Sequence, residues 1–163
     1  MPFSEKVGDS VISGDFDILN KLIKELKTDY FVDIGILGSG ERSESGESVP
    51  EYGAKQEYGS DQAGRGPKIP KRSFIKMPLQ TKQKEISSDV EKKFQKHIEE
   101  GDVKGIFKDI GIAGEVQIQN AFETGGFGDW KPLAESTVER KESSAILIDE
   151  GTLRKSITSE VSK

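Results

Sequence analysis

The stretch DFDILNKLIKELKTDYFVDIGIL, residues 15–37, changes its periodicity halfway and so decides the fold class. Its first part, residues 15–29, repeats apolar side chains at helical spacing and is predicted to form an amphipathic helix. These apolar side chains are Leu19, Leu22, Ile23 and Leu26. The second part, residues 30–37, is rich in β-branched and aromatic residues and is predicted to form a strand.

Further helices are predicted downstream. Residues 79–100 carry one apolar stripe, and residues 102–122 carry another with Asp102 as N-cap. The first stripe consists of Leu79, Ile86, Val90, Phe94 and Ile98. Glycines interrupt the second helix, and they either allow a neighbouring helix to approach closely or mark a break near residue 111; we expect a continuous, kinked helix. They are Gly105, Gly111 and Gly114.

The carboxyl-terminal third predicts a short polar helix over residues 133–141 and then a strand, in which Leu153, Ile157 and Val161 alternate with polar residues. Together these patterns predict one α+β domain over residues 1–163. In it a small mixed or antiparallel sheet packs with the principal helices, which number about three.

Residues 38–68 are polar and rich in glycine, so they are predicted to form a long protruding loop. Within this segment the triplet Glu-Tyr-Gly occurs at residues 51–53 and again at residues 57–59. A disordered linker does not need such a pattern. We therefore expect the loop to become ordered against a neighbouring molecule on assembly.

Composition restricts the possible functions. Apolar and charged residues each make up 33% of the chain, and 24 basic against 29 acidic side chains give a net charge of -5, which argues against a dedicated duplex-DNA binder. The absence of cysteine excludes disulfides, thiolate metal sites and thiol nucleophiles. The amino terminus lacks the layout of a secretory signal and no long apolar run is present, so we expect a cytosolic chain without membrane contact.

No catalytic, metal or cofactor site is predicted. The single histidine, His97, has no second histidine with which to hold a metal and is interpreted as a half-buried helix residue. Neighbouring carboxylates such as Glu57 with Asp61, or Asp149 with Glu150, could act as general acid and base. They are interpreted as solvated loop acids, because an acidic chain brings some carboxylates together by chance.

A basic cluster is the most distinctive charge feature. Five basic residues fall within twelve residues that contain no acid, around Pro70 and the aromatic Phe74. These basic residues are Arg65, Lys68, Lys71, Arg72 and Lys76. The cluster fits an acidic patch on another protein, the phosphates of a nucleic acid, or a solvated loop without a partner.

The only tryptophan, Trp130, lies in GGFGDWKPL, residues 125–133, just after the predicted end of the third helix. Its ring is expected to fold back as a lid over a core that is too thin to close itself. The alternative is an exposed anchor for a partner protein, because tryptophan is enriched at binding hot spots.

Two ordered sets of motifs carry a family resemblance. AFETGGFGDWKPLAESTVERK followed by ILIDEGTLRKSIT resembles the virion morphogenesis proteins of Mu-like phages, in which a Trp-x-Pro-Leu turn leads to Thr, a basic residue, Leu, Gly, Leu and Ser-Ile. The matching residues are Trp130, Pro132, Leu133, Thr137, Leu147, Gly151, Leu153, Ser156 and Ile157. VDIGILGSG, PEYGAKQEYGS and IPKRSFIK resemble the tail-completion and minor tail components of long-tailed phages. The matching residues there are Glu57, Gly59, Ile69, Pro70, Arg72 and Phe74, whereas Gly53 departs from the usual Tyr-Ala form.

The resemblance spans residues 30–160 and implies a non-catalytic α+β virion protein. Such a protein forms a ring, hexameric by resemblance, at the head-proximal end of the tail or in the neck, and it completes the tail before the tail joins the head. It is assembled in the host cytoplasm. The implied partners are copies of itself, the tail terminator or tail-tube protein, head–neck connector proteins, and DNA passing through the lumen.

The loop over residues 38–68 and the basic segment after it are the candidate contact regions of such a ring. The candidate contact residues are Tyr52, Glu57, Tyr58, Arg65, Lys68, Lys71, Arg72, Phe74 and Lys76. Residues Trp130, Pro132, Leu133, Gly151 and Leu153 are expected to be structural. Two other classes stay open, namely a DNA-contacting head-closure or packaging component, and a small hydrolase that would use Glu57.

Overall fold

The computed structural model describes residues 2–7, 10–38, 47–61, 68–148 and 151–163. Over these ranges the chain forms seven helices and two antiparallel two-stranded sheets, which confirms the predicted α+β class. The elements are β1 (Pro2–Val7), β2 (Ser10–Asp15), α1 (Phe16–Leu26), β3 (Phe31–Ile36), α2 (Val49–Tyr58), α3 (Lys76–Thr81), α4 (Gln83–Glu100), α5 (Val103–Thr124), α6 (Glu135–Lys141), α7 (Thr152–Lys155) and β4 (Ile157–Ser162).

The central unit is the pair β3 and β4 with α5 against it. The strands pair from Phe31 opposite Ser162 to Ile36 opposite Ile157, so the predicted first strand and the carboxyl-terminal strand form one sheet. The predicted alternation of the last strand fails at Leu153, which lies in α7 and packs in the core. A second antiparallel strand pair, β1 with β2, precedes α1 and was not predicted.

Helix α5 is continuous from Val103 to Thr124, and Asp102 caps it as predicted by accepting a hydrogen bond from the Gly105 amide at 3.0 Å. Its glycines serve close approach. At Gly105 the approaching element is a neighbouring helix, because an added Cβ would lie 2.5 Å from the His97 ring of α4, whereas at Gly111 and Gly114 it is the sheet. A Cβ added at Gly111 would lie 2.5 Å from the Ser159 hydroxyl oxygen, and one added at Gly114 would lie 2.6 Å from a methyl carbon of Ile34. The sheet therefore packs directly on the helix backbone.

The predicted loop over residues 38–68 contains a helix instead. Helix α2 begins with a capping box, in which the Ser48 hydroxyl accepts from the Glu51 amide and the Glu51 carboxylate accepts from the Ser48 amide, each at 3.3 Å. Val49 anchors the helix in the core. Within the predicted loop, the structure describes residues 38, 47–61 and 68.

The predicted second helix divides into two. Helix α3 ends at Thr81 and α4 begins at Gln83, with Lys82 between them. Pro78 lies in the first turn of α3, where a missing N–H costs no helical hydrogen bond, so the proline is tolerated. Gly101 ends α4 in the left-handed conformation, as predicted.

The core lies between α5, α2, α7 and the β3–β4 sheet. Aromatic rings form its centre, with the Phe122 ring 5.4 Å from the Phe74 ring and 5.9 Å from the Trp130 ring in an edge-to-face arrangement. The buried members are Val49, Phe74, Ile118, Ala121, Phe122, Trp130, Leu147, Leu153 and Ile157.

Candidate functional site

Glu57 is a buried carboxylate that holds the backbone of the basic segment, residues 68–76, in place. It extends from α2 and accepts hydrogen bonds from the Ser73 hydroxyl at 2.6 Å and from the amides of Phe74, Ile75 and Lys76 at 2.7, 2.9 and 3.1 Å. The interpretation of Glu57 as a solvated loop acid was therefore wrong. These four donors replace water around the charge and fix the entry into α3.

Arg72 is also buried, with 6% of its surface exposed. Its guanidinium donates to the Lys131 carbonyl oxygen at 3.2 and 3.1 Å and to the Pro132 carbonyl oxygen at 3.3 Å. Burial lowers the pKa of this guanidinium, and no ion pair to it is found among the described residues. Arg72 thus binds the basic segment to the turn that follows Trp130.

Trp130 is buried and closes the core as a lid, so the alternative of an exposed anchor was wrong. Its indole nitrogen donates to the Ser73 carbonyl oxygen at 3.2 Å. Among the other residues expected to be structural, Leu153 is buried, Leu133 and Gly151 are half-buried and Pro132 is exposed. Gly151 has φ +76° and starts α7 in a conformation that favours glycine.

The predicted contact residues therefore divide into two groups. Glu57, Arg72 and Phe74 lie in the interior and are not available for direct contact with a partner, because each is needed inside the subunit. Tyr52 is half-buried against the core, whereas Tyr58 is 71% exposed. The exposed basic residues are Lys68, Lys71 and Lys76, and Arg65 lies outside the described residues.

The exposed basic residues surround one end of α2. Tyr58 and Lys76 line a shallow pocket of about 240 Å³ together with Ile36 and Pro50. Lys68 pairs with Asp61 at 3.2 Å, and because both side chains are mostly exposed the pair contributes little to stability. This surface carries positive charge but no group of converging donors among the described side chains.

His97 joins α4 to α5. Its Nε2 lies 2.9 Å from an Asp109 carboxylate oxygen, while Lys93 binds the other oxygen at 3.0 Å. Burial alone would raise the pKa of Asp109, but the hydrogen bonds from His97 and Lys93 prevail and hold that pKa below its ordinary value. The prediction of a half-buried helix histidine is confirmed.

The described residues contain no group of three or more histidine or carboxylate side chains that could hold a metal ion. Over the same residues, no helix combines the length and the apolar character required to cross a membrane.

Helix α1 buries none of its residues and carries an apolar surface that stays largely exposed to solvent. Its inner side contacts the end of α4, where Lys21 donates to the Glu100 carbonyl oxygen at 2.9 Å. The outward side is apolar and between 44% and 67% exposed. It consists of Phe16, Leu19, Ile23 and Leu26, which we call the α1 face.

A second apolar surface lies between α4, β3 and α5. It is an open groove of about 560 Å³, which we call the α4 groove. Its apolar lining consists of Ile34, Leu79, Ile86, Val90, Phe94 and Ile110. Sequence periodicity predicted the apolar stripe on α4. It did not predict that part of the stripe stays exposed to solvent, as Phe94 does with 47% of its surface. The α1 face and the α4 groove are together the candidate functional site.

Comparison of the chain with models of known protein families, with curated proteins and with solved structures finds no match.

Proposed function

We propose that this chain is a structural virion protein of a long-tailed phage. It acts at the head-proximal end of the tail or in the neck, as a subunit of an oligomeric ring that completes the tail and enables head–tail joining. The observation that carries this proposal is the pair of uncovered apolar surfaces, the α1 face and the α4 groove. Contiguous exposed apolar surface of this kind is typical of proteins that assemble with others.

The contacts between the two sets of motifs also support the proposal. Arg72, from the motif that resembles tail-completion proteins, binds the carbonyl of Pro132, from the motif that resembles virion morphogenesis proteins. Phe74 from the first set and Leu153 from the second lie in the same core cluster. The residues behind the resemblance thus form one structural unit, as expected if both sets describe a single domain.

The role of Glu57 favours a structural over a hydrolytic function. A general base must be able to accept a proton from water or substrate. Both carboxylate oxygens of Glu57 already accept hydrogen bonds, from Ser73 and Lys76 on one oxygen and from Phe74 and Ile75 on the other. The carboxylate that a hydrolase would use is therefore engaged inside the subunit.

The proposal is tested by quantitative peptide mass spectrometry on purified virions, in which copies of this chain are compared with copies of the portal and tail-tube proteins. We expect a small, constant, ring-like number per particle. Absence from finished virions would contradict the proposal and would indicate a transient assembly factor or an enzyme instead.

The exposed lysines keep one alternative in consideration, a head-closure or packaging component that contacts DNA. Lys68, Lys71 and Lys76 are solvent-exposed and close to one another in sequence, and phosphate contact would need such residues. This alternative requires DNA binding that falls steeply with added salt and weakens in Lys71→Glu. The net charge of -5 argues against it.

A further inference from the structure

The geometry of α1 separates an inner side from an outward side. Lys21 and Glu25 lie on the inner side, where Lys21 binds the Glu100 carbonyl and Glu25 accepts from the Tyr30 hydroxyl. The members of the α1 face follow one another at steps of three, four and three residues, so they form one stripe along the opposite side. This spacing is the one with which amphipathic helices dock into apolar grooves.

The α4 groove matches this stripe in length. Helix α1 has 11 residues and is about 16 Å long at a rise of about 1.5 Å per residue. The groove lining follows α4 from Gln83 to Phe94, which by the same rise is also about 16 Å. A helix of the size of α1 therefore fills the groove from end to end.

The charges beside the two surfaces are complementary. Lys24 and Lys27 flank the α1 face, and Glu91 lies at the rim of the α4 groove. Among the described residues none of these three side chains forms an ion pair within the chain. Rim charges of opposite sign set orientation and speed association when two apolar surfaces meet.

We infer that the α1 face of one copy docks into the α4 groove of a second copy. Within one chain α1 is held at Glu100 and Gly101, beyond the end of the groove, so the helix that fills the groove comes from another molecule. Each copy provides one helix and one groove, so the contact is head-to-tail and repeats from copy to copy. Such a contact forms a ring where the rotation between copies closes, and the proposed ring requires that it does. The inference deepens the proposed function and rests on it, because a ring subunit must contact its own copies.

The test measures the mass of the purified full-length chain by sedimentation velocity over a range of concentrations up to several hundred micromolar. Leu19→Glu places a charge on the α1 face and Phe94→Glu places one in the α4 groove. Ile112→Glu is the matched control, because Ile112 is an exposed α5 residue that belongs to neither surface. We expect the wild type and the control to assemble, and each of the other two variants to associate at least tenfold more weakly.

A mixture of the two defective variants gives the sharpest outcome. Leu19→Glu keeps an intact groove and Phe94→Glu keeps an intact helix, so one junction can form between them but no second one. We expect an equimolar mixture to form dimers that do not grow further. Circular dichroism checks helix content, and a variant that loses it is replaced by Leu19→Ser or Phe94→Ser.

Several results would overturn the inference. They are a wild type that stays monomeric at every concentration, a mixture that stays monomeric, or dissociation caused by Leu19→Glu but not by Phe94→Glu, which would indicate that α1 pairs with α1. The outcome for the proposed function is separate. If virions contain the chain in a ring-like number and incorporate both variants normally, the inferred docking contact is contradicted and the proposed function is supported. If the chain assembles through both surfaces but is absent from virions, the function is wrong and the contact stands.

Discussion

The indole nitrogen of Trp130 donates a hydrogen bond to the backbone carbonyl oxygen of Ser73, 3.2 Å away and 57 residues earlier in the chain. Arg72, the neighbour of Ser73, bonds in the opposite direction to the carbonyls of Lys131 and Pro132, the residues that follow Trp130. The basic segment and the tryptophan turn are thus joined by reciprocal contacts, and the core closes beneath them.

Trp130→Ala should lower the free energy of unfolding by about 3–5 kcal/mol, because it removes a buried ring that packs on Phe122. Trp130→Phe retains a ring but leaves the Ser73 carbonyl without its donor, and we expect it to cost about 1–3 kcal/mol. Urea unfolding measures both values. Phe31→Ala, at an exposed position on β3, is the control. An equal loss of unfolding free energy in the control and in Trp130→Ala would contradict the role of Trp130 as a lid over the core.

Glu57→Gln should destabilise the chain by about 2–3 kcal/mol, since an amide replaces a carboxylate that accepts four hydrogen bonds and brings N–H groups against backbone N–H groups. Asp61→Asn is the matched control, because Asp61 is an exposed acid near the end of α2. Thermal unfolding compares the two variants. Similar midpoints for them would show that the buried carboxylate is not needed for the fold.

Arg72→Glu should reduce the helix content measured by circular dichroism, because it buries a carboxylate against the carbonyls of Lys131 and Pro132. Arg72→Lys should cost about 1–3 kcal/mol, since an ammonium cannot reproduce the planar fork. Lys71→Glu changes the charge at the exposed neighbouring position and should leave helix content unchanged. If Arg72→Glu kept normal helix content but lost assembly, the result would instead support the prediction that Arg72 contacts a partner.

Stability should fall in acid partly through Asp109. The pKa of this carboxyl is held below its unfolded value by His97 and Lys93, so its contribution is fully present above the unfolded pKa of about 3.9. The contribution is lost as the pH falls from there through the folded pKa. Asp109→Asn, which cannot ionise, should show a smaller loss of stability below about pH 4, and parallel pH profiles for the two proteins would contradict this assignment.

The sequence predicted the elements that follow one clear periodicity, such as α1, β3 and the Asp102-capped α5. It missed α2 because polarity and glycine content suggested a loop, although Ser48 and Glu51 have the spacing of a capping box and could have revealed the helix. The burial of Glu57 was not predictable from local pattern. Its donors lie 16 to 19 residues away, and only the folded chain brings them together.

Hydrophobic periodicity also did not predict that the α1 face and the α4 groove would stay exposed. An apolar stripe predicts that one side of a helix is covered, but not whether the same molecule supplies the cover. Leu19 and Phe94 both belong to well-formed stripes, and the structure leaves both exposed. Their exposure follows from where α1 comes to lie, which depends on the contacts of Lys21 and Ile18 near Gly101.

Helix α1 contributes no residue to the core cluster. The α1 half of the inferred contact is therefore separate from the residues that hold the subunit together, whereas groove residues such as Ile34 and Leu79 also pack against the core. Substitutions on the outward side of α1 can therefore accumulate without a loss of subunit stability. If the inferred docking holds, assembly is kept when the groove of the neighbouring copy changes with them. Under the proposed function, two such proteins in one infected cell would in this way keep their rings apart, and exchange of a single helix would be enough to redirect one subunit into the ring of the other.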